Sequence, residues 1–322
     1  MKYGIGSGAL WGLDTVVLSI ALVMIPFLGS TEGALTSALL HDVSAALILL
    51  VYMGIRRRLK DTVAALKTKS GRAVVGAAIL GGPLGMAGYL IAIDNIGPGY
   101  TAIISSFYPA FGTFLAYVFL RERMKPRQLI ALAVALAGIV LIGWSSMDAE
   151  VPGNALLGII AAGAAVIGWG SEAVILAWGM RDDAVDNETA LQIRQTTSAL
   201  VYVLIIAPIF GILGFTAKAI TTPAAGVVFL AAIAGTASYL FYYKAINQIG
   251  AARGMALNIS YSAWAIIFGL ILLSQIPSPL EVTACIIILI ATTLAATANW
   301  NDLKPGKNKQ TPTNQNQVTE LG

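Results

Sequence analysis

Ala92-Ile93-Asp94-Asn95-Ile96-Gly97 and Ala245-Ile246-Asn247-Gln248-Ile249-Gly250 are one pattern written twice, 153 residues apart. Moving outward at that offset, Tyr89-Leu90 falls near Tyr242-Tyr243, and Phe107-Tyr108-Pro109-Ala110-Phe111 falls on Ser260-Tyr261-Ser262-Ala263-Trp264. His41-Asp42 falls on Arg194-Gln195. At an offset of 158, Trp11-Gly12-Leu13-Asp14 meets Trp169-Gly170-Ser171-Glu172. The chain is therefore two copies of one unit, 1–150 and 151–301, followed by a polar tail, 302–322.

A transmembrane helix needs about 20 mostly apolar residues. Ten such runs are read: 3–28, 33–55, 73–93, 97–120, 127–146, 154–179, 188–212, 223–246, 252–274 and 279–299. Turn chemistry separates them, as at Gly97-Pro98-Gly99, Pro152-Gly153 and Pro277-Ser278-Pro279. None of the breaks has room for a soluble domain. Five crossings per unit is odd, so the second unit starts from the opposite face. The expected fold is an all-α polytopic membrane protein, with ten transmembrane helices in two inverted five-helix repeats. That plan is a signature of secondary transporters with a site at the repeat interface. The first run exceeds the length of a signal-peptide core, so no cleaved leader is expected. The tail, rich in Asn and Gln, is expected to be disordered.

Composition agrees. Of 322 residues, 57% are hydrophobic and 11% charged, and mean hydropathy is +0.79. Soluble domains carry about 25% charged residues, so a soluble enzyme is excluded. One cysteine, Cys285, excludes a disulfide framework, and one histidine, His41, excludes multi-histidine zinc and haem sites. No metal or cofactor is implied. With the N-terminus inside, eighteen of the twenty basic residues fall in cytoplasmic segments, Lys218 lies outside and Arg194 lies within a span. The positive-inside rule then puts both termini in the cytoplasm. The basic pI of 9.1 reflects topology and not a nucleic-acid partner.

Five ionisable side chains lie inside spans and away from their ends: Asp14, His41, Asp42, Glu172 and Arg194. Each costs about 2.5–3.5 kcal/mol on insertion scales, so such groups face cavities or one another. Asp14 and Glu172 each follow a tryptophan by three residues and share its helix face. Structural readings stand beside the functional one. Glu172 can pair with Arg194, Asp14 can bond a neighbouring helix in its protonated form, His41 can be a packing hydrogen bonder, and Arg194 can snorkel. Asn258, Tyr261 and Trp264 form a stripe at i, i+3, i+6, and Tyr239 neighbours Tyr242 and Tyr243. An interfacial aromatic belt or ordinary packing is the bland reading. It suits Trp144 and Trp300 at span ends better than Trp169 and Trp264 well inside. Aromatic faces with a carboxylate suit a quaternary or alkylated ammonium, each ring attracting the cation by roughly 0.5–2 kcal/mol. The candidate site is Trp11, Asp14, His41, Tyr89, Trp169, Glu172, Gln195, Tyr239, Tyr242, Tyr261 and Trp264. Gly81-Gly82-Pro83-Leu84-Gly85-Met86-Ala87-Gly88 reads as a kinked, moving packing surface. Cys285, among apolar neighbours, reads as inert.

Ten spans in two inverted halves resemble the drug/metabolite transporter superfamily with its two EamA-type repeats. Several strings resemble the LicB-type choline importers of bacteria: Leu40-His41-Asp42, Gly82-Pro83-Leu84-Gly85-Met86, Gly168-Trp169-Gly170-Ser171-Glu172 and Ile193-Arg194-Gln195-Thr196-Thr197-Ser198. Ser238-Tyr239-Leu240-Phe241-Tyr242-Tyr243-Lys244-Ala245-Ile246-Asn247 and Asn258-Ile259-Ser260-Tyr261-Ser262-Ala263-Trp264 complete the set. The resemblance implies choline uptake by alternating access, through an aromatic cage at Trp11, His41, Trp169, Glu172, Tyr239, Tyr242 and Trp264. The residues alone reach only an organic cation. Competing readings are an exporter of drugs or metabolites on the same fold and a lipid-carrier flippase. The flippase needs a basic lateral groove, and the interior offers only Arg194. A membrane enzyme needs a catalytic constellation at a water interface, and no such spacing is present.

Overall fold

The computed structural model describes residues 1–145 and 153–300. Every regular element among them is helical. In the first half these are α1 (Lys2–Leu22), α2 (Gly33–Ile55), α3 (Leu59–Leu66), α4 (Lys69–Ile79), α5 (Gly85–Ser105), α6 (Tyr108–Leu115) and α7 (Pro126–Ser145). The second half holds α8 (Ala155–Gly179), α9 (Asn187–Val201), α10 (Ala207–Ile209), α11 (Leu213–Ala219), α12 (Pro223–Ile249), α13 (Ala251–Asn258), α14 (Tyr261–Leu273) and α15 (Pro279–Ala296). π-Helical turns at Leu80–Leu84, Ala116–Leu120 and Tyr202–Ile206 extend α4, α6 and α9 without breaking the rods. The boundary read at 150/151 and the tail 302–322 lie outside the described residues.

Nine helical runs among the described residues are long and apolar enough to cross a bilayer, and the chain is a multi-pass membrane protein. One run, Lys69–Ser105, holds 37 residues, far more than a crossing needs. It turns at Gly97, whose φ of 77° and ψ of 163° are not helical. The helix up to Ile96 is one crossing, and the chain from Pro98 through the short apolar stretch to Leu120 is the next, which makes ten.

The backbone repeats the sequence offset. Gly250, 153 residues after Gly97, has φ 89° and ψ 162°. Arg121 and Ser274, again 153 apart, are left-handed at φ 58° and 55°. Pro126 and Pro279 each start a helix, where a missing N–H costs nothing. A side chain at Gly250 would be strained by the positive φ and would meet the Glu122 carboxylate.

Several spans differ from their sequence reading. The helix of the first span stops at Leu22 and the last stops at Ala296, short of 28 and 299. The seventh ends at Ile209, with α11 a separate piece. The fourth and ninth spans are each broken, at 106–107 and at 259–260, again 153 residues apart.

Packing crosses between the halves. α1 lies along α12 while α8 lies along α5, α2 meets α9, and α7 meets α15. These are repeat-related pairings. Small residues let the backbones close: a Cβ on Gly12 would come within 2.6 Å of the Trp264 Cβ, and one on Gly170 within 2.9 Å of the Tyr108 carbonyl oxygen. Met1 and the end of the last described helix share one end of the bundle, the termini end, where the Thr297 hydroxyl meets the Met1 sulfur at 3.5 Å. Cys285 is buried with its Sγ 3.4 Å from the Ala263 carbonyl oxygen.

Candidate transport site

Spacing three on a helix stacks side chains on one face. On α1 this sets Trp11 beside Asp14, and on α8 it sets Trp169 beside Glu172. Each carboxylate then meets the second spanning helix of its own half. Asp14 Oδ1 lies 3.1 Å from His41 Nε2, and Glu172 Oε1 accepts from Arg194 Nε at 2.9 Å. His41 and Arg194 are repeat partners, so these are two copies of one acid–base contact. Glu172 is therefore paired, and Arg194, 3% exposed, does not snorkel. The buried charges pair because an unpaired charge inside a span is costly.

Asp42 joins the two copies. Its Oδ1 lies 3.6 Å from His41 Nδ1 and its Oδ2 lies 3.7 Å from Arg194 Nη1, and it accepts from the Ser198 hydroxyl. Arg194 also donates from Nη1 to the Gln195 side-chain oxygen Oε1 and, from Nη2, to the Tyr239 hydroxyl at 3.2 Å. All three guanidinium nitrogens are engaged. The network holds three carboxyl groups against one guanidinium and one imidazole.

The aromatic residues form two repeat-related groups around it. Trp11 packs on Tyr239 at 4.9 Å and Tyr261 at 6.1 Å between ring centroids. Trp169 packs on Tyr89 at 5.4 Å and Tyr108 at 5.8 Å. The π-helical turn at Leu80–Leu84, which contains Pro83, brings the Gly81 carbonyl oxygen to the Trp169 indole N–H at 3.0 Å. That turn is a close packing surface: a Cβ on Gly81 would overlap the Glu172 carboxyl group.

Between the groups lies a cavity of about 330 Å³. Of the eleven sequence candidates, Trp11, Asp14, His41, Tyr89, Trp169, Glu172, Tyr239, Tyr242 and Tyr261 line it. Gln195 and Trp264 do not. Gln195 sits behind Arg194. Trp264 backs onto α1, where a Cβ on Gly12 would come within 2.6 Å of its own Cβ, and its ring packs on Phe268 at 6.3 Å between centroids, so of the expected stripe only Asn258 and Tyr261 reach the cavity. Asp42 and Arg194, weighed as buried charges but not chosen, line the cavity. So do Tyr108, Asn258 and Tyr202. Tyr108 was legible as the repeat partner of Tyr261. Tyr202 was legible as a face neighbour of Arg194 and Ser198, which precede it at spacings of four.

The cavity extends to the end of the bundle away from the termini, past Leu18, Leu22, Ala34 and Ile93. Toward the termini it stops at a hydrogen-bonded floor. There Tyr108 donates to Asn258 Oδ1 at 2.9 Å, Asn258 Nδ2 donates to Ser7 Oγ at 2.9 Å, and Ser7 meets Ser238 at 3.3 Å. Among the described residues no cluster of His, Cys, Asp or Glu is arranged to hold a metal.

Known proteins place this architecture. Protein LicB of Haemophilus influenzae is 31% identical over 213 residues, spanning 65% of this chain and 70% of that protein. A solved crystal structure only 18% identical shares the fold, with a TM-score of 0.65 over 91% of this chain and 95% of its own. The model of the EamA-like transporter family matches twice, at 1–144 and 156–297. Those two matches divide the chain where its repeat divides it, and the chain belongs to the EamA-like transporter family.

Proposed function

We propose that this transporter imports choline or a closely related quaternary ammonium by alternating access through the cavity between its halves. One observation carries the reading: three carboxyl groups share the cavity wall with one guanidinium and one imidazole. With the carboxyls ionised, protonating His41 still leaves one negative charge to be balanced, and a monovalent cation supplies that balance. The ring faces of Trp11 and Trp169 add cation–π attraction at roughly 0.5–2 kcal/mol each. Neither contribution needs an N–H on the ligand, which suits a methylated ammonium. Arg194 has its nitrogens occupied, so it offers little to a substrate carboxylate, and betaine-like zwitterions are disfavoured. The basic-residue count supports cytoplasmic termini, and with that orientation the cavity faces outward, the direction uptake requires. Rocking of one half against the other would then expose the same site inward.

Counterflow tests this whatever the coupling ion. Proteoliposomes preloaded with unlabelled choline should transiently accumulate external labelled choline well above protein-free liposomes, and excess betaine should not suppress the signal. Accumulation no greater than in empty liposomes would overturn the reading.

A further inference from the structure

At the termini end of the bundle, charge crosses between the halves. Arg58, entering α3, donates from Nη1 to Glu188 at 2.5 Å and from Nη2 to Asp186, and its Nε bonds Asp61 at 2.8 Å. Arg56 reaches Glu188 at 2.6 Å. Tyr52 donates to the same carboxylate at 2.9 Å. The cluster ties the end of α2 to the start of α9, the helices that carry His41, Asp42, Arg194 and Ser198. Partial burial works against the Asp186 charge, but bonds from Thr189 and Arg58 outweigh it and hold that carboxyl below its usual range. At the same end Glu122 accepts from the Ala251 and Ala252 N–H groups at 3.0 and 3.1 Å, joining the fourth crossing to the ninth. At the other end, where the cavity opens, no ion pair joins two helices among the described residues.

We infer that the Arg56, Arg58, Asp186 and Glu188 cluster is an ion lock that keeps the termini end shut while the cavity is open opposite, and that it must part for substrate to pass that way. This rests on the alternating-access reading, but not on the identity of the substrate. The lock holds α2 and α9 together at a second level, below the contacts of Asp42 with Arg194 and Ser198. Glu188, Leu191 and Arg194 share one face of α9 at spacings of three, so fully buried Leu191 lies between lock and cavity. Charge-assisted bonds of this length are strong enough to bias a two-state equilibrium, yet the side chains keep some contact with water. That combination lets the cluster open without stranding bare charges.

The test is thiol labelling of the full-length protein in detergent. Replacing the single cysteine (Cys285→Ser) and adding Leu191→Cys places a reporter behind the lock, while Ala135→Cys places a control in the distant α7–α15 contact. With the lock intact, a charged maleimide should label Leu191→Cys slowly. Arg56→Gln with Arg58→Gln should speed that labelling roughly tenfold, equivalent to about 1.4 kcal/mol, and leave the Ala135→Cys rate unchanged. Exchanging charges, Arg58→Glu with Glu188→Arg, should slow labelling again relative to Arg58→Glu alone. If the double glutamine variant does not fold, Glu188→Gln carries the same comparison. Unchanged labelling at Leu191→Cys, or equal acceleration of both reporters, would overturn the lock. The rates need no ligand, so a protein that shows them but does not bind choline keeps the lock and loses the substrate reading.

Discussion

Arg194→Gln is expected to lower stability by about 3–5 kcal/mol, the range for removing one partner of a buried ion pair. The guanidinium is 3% exposed. Its loss leaves Glu172 without its 2.9 Å donor, Asp42 without its nearby cation, and the Gln195 and Tyr239 oxygens without a donor. Adding Glu172→Gln removes the stranded carboxylate, so the double variant should be more stable than Arg194→Gln alone. Thermal unfolding in detergent, followed by tryptophan fluorescence, measures both. Arg194→Gln melting like wild type would remove the ion pair from the account. A double variant no more stable than the single one would show that Glu172 is not the partner that matters. Glu172→Gln alone keeps the shape of the side chain and removes its charge. Here it also strands Arg194, so its effect on binding must be read beside its effect on melting.

Trp11→Ala and Trp169→Ala are each expected to weaken choline binding by about 1–3 kcal/mol, combining lost cation–π attraction with lost ring packing. Both line the cavity, and each anchors a group of tyrosines. Phenylalanine at either position should do less harm, because a ring face remains. Trp264→Ala is the contrast: that ring lies outside the cavity wall, so its loss should disturb the α1–α14 contact and leave affinity near wild type. Calorimetric titration of the folded variants decides. Trp264→Ala costing as much as Trp169→Ala would move the site; neither cavity tryptophan mattering would abolish it.

Most of this site was legible because the chain states it twice. A tryptophan three residues before an acid, found in both halves, put Trp11 with Asp14 and Trp169 with Glu172 on facing helices. The same alignment set His41 against Arg194, and the structure joins each to the acid of its own half. Spacing on a helix is a local property, so it survives into the fold. What failed was the last member of the stripe. Asn258 and Tyr261 reach the cavity from either side of the interruption at 259–260, while Trp264, three residues further along the helix of Tyr261, is taken up by the α1–α14 contact, which helical spacing does not set. The link from Asp42 to Arg194 is a contact between halves with no counterpart in the repeat, since Gln195 stands where a second aspartate would be. Tyr202 follows Arg194 and Ser198 at spacings of four, so its face was legible from ordinary helical periodicity once Arg194 was placed at the cavity.

Selection of positive charge by the rings and carboxylates of the cavity is the property on which the proposed function depends. It is tested most directly by titrating the purified protein with choline and with its neutral carbon isostere, in which a tert-butyl group replaces the trimethylammonium. The two ligands share shape and hydroxyl, so their affinity ratio isolates the charge. The account predicts that choline binds at least roughly a hundredfold more tightly, a difference of about 2.7 kcal/mol that two ring faces and an unbalanced carboxylate can supply. Equal affinity for the two, or no binding of choline at all, would contradict it.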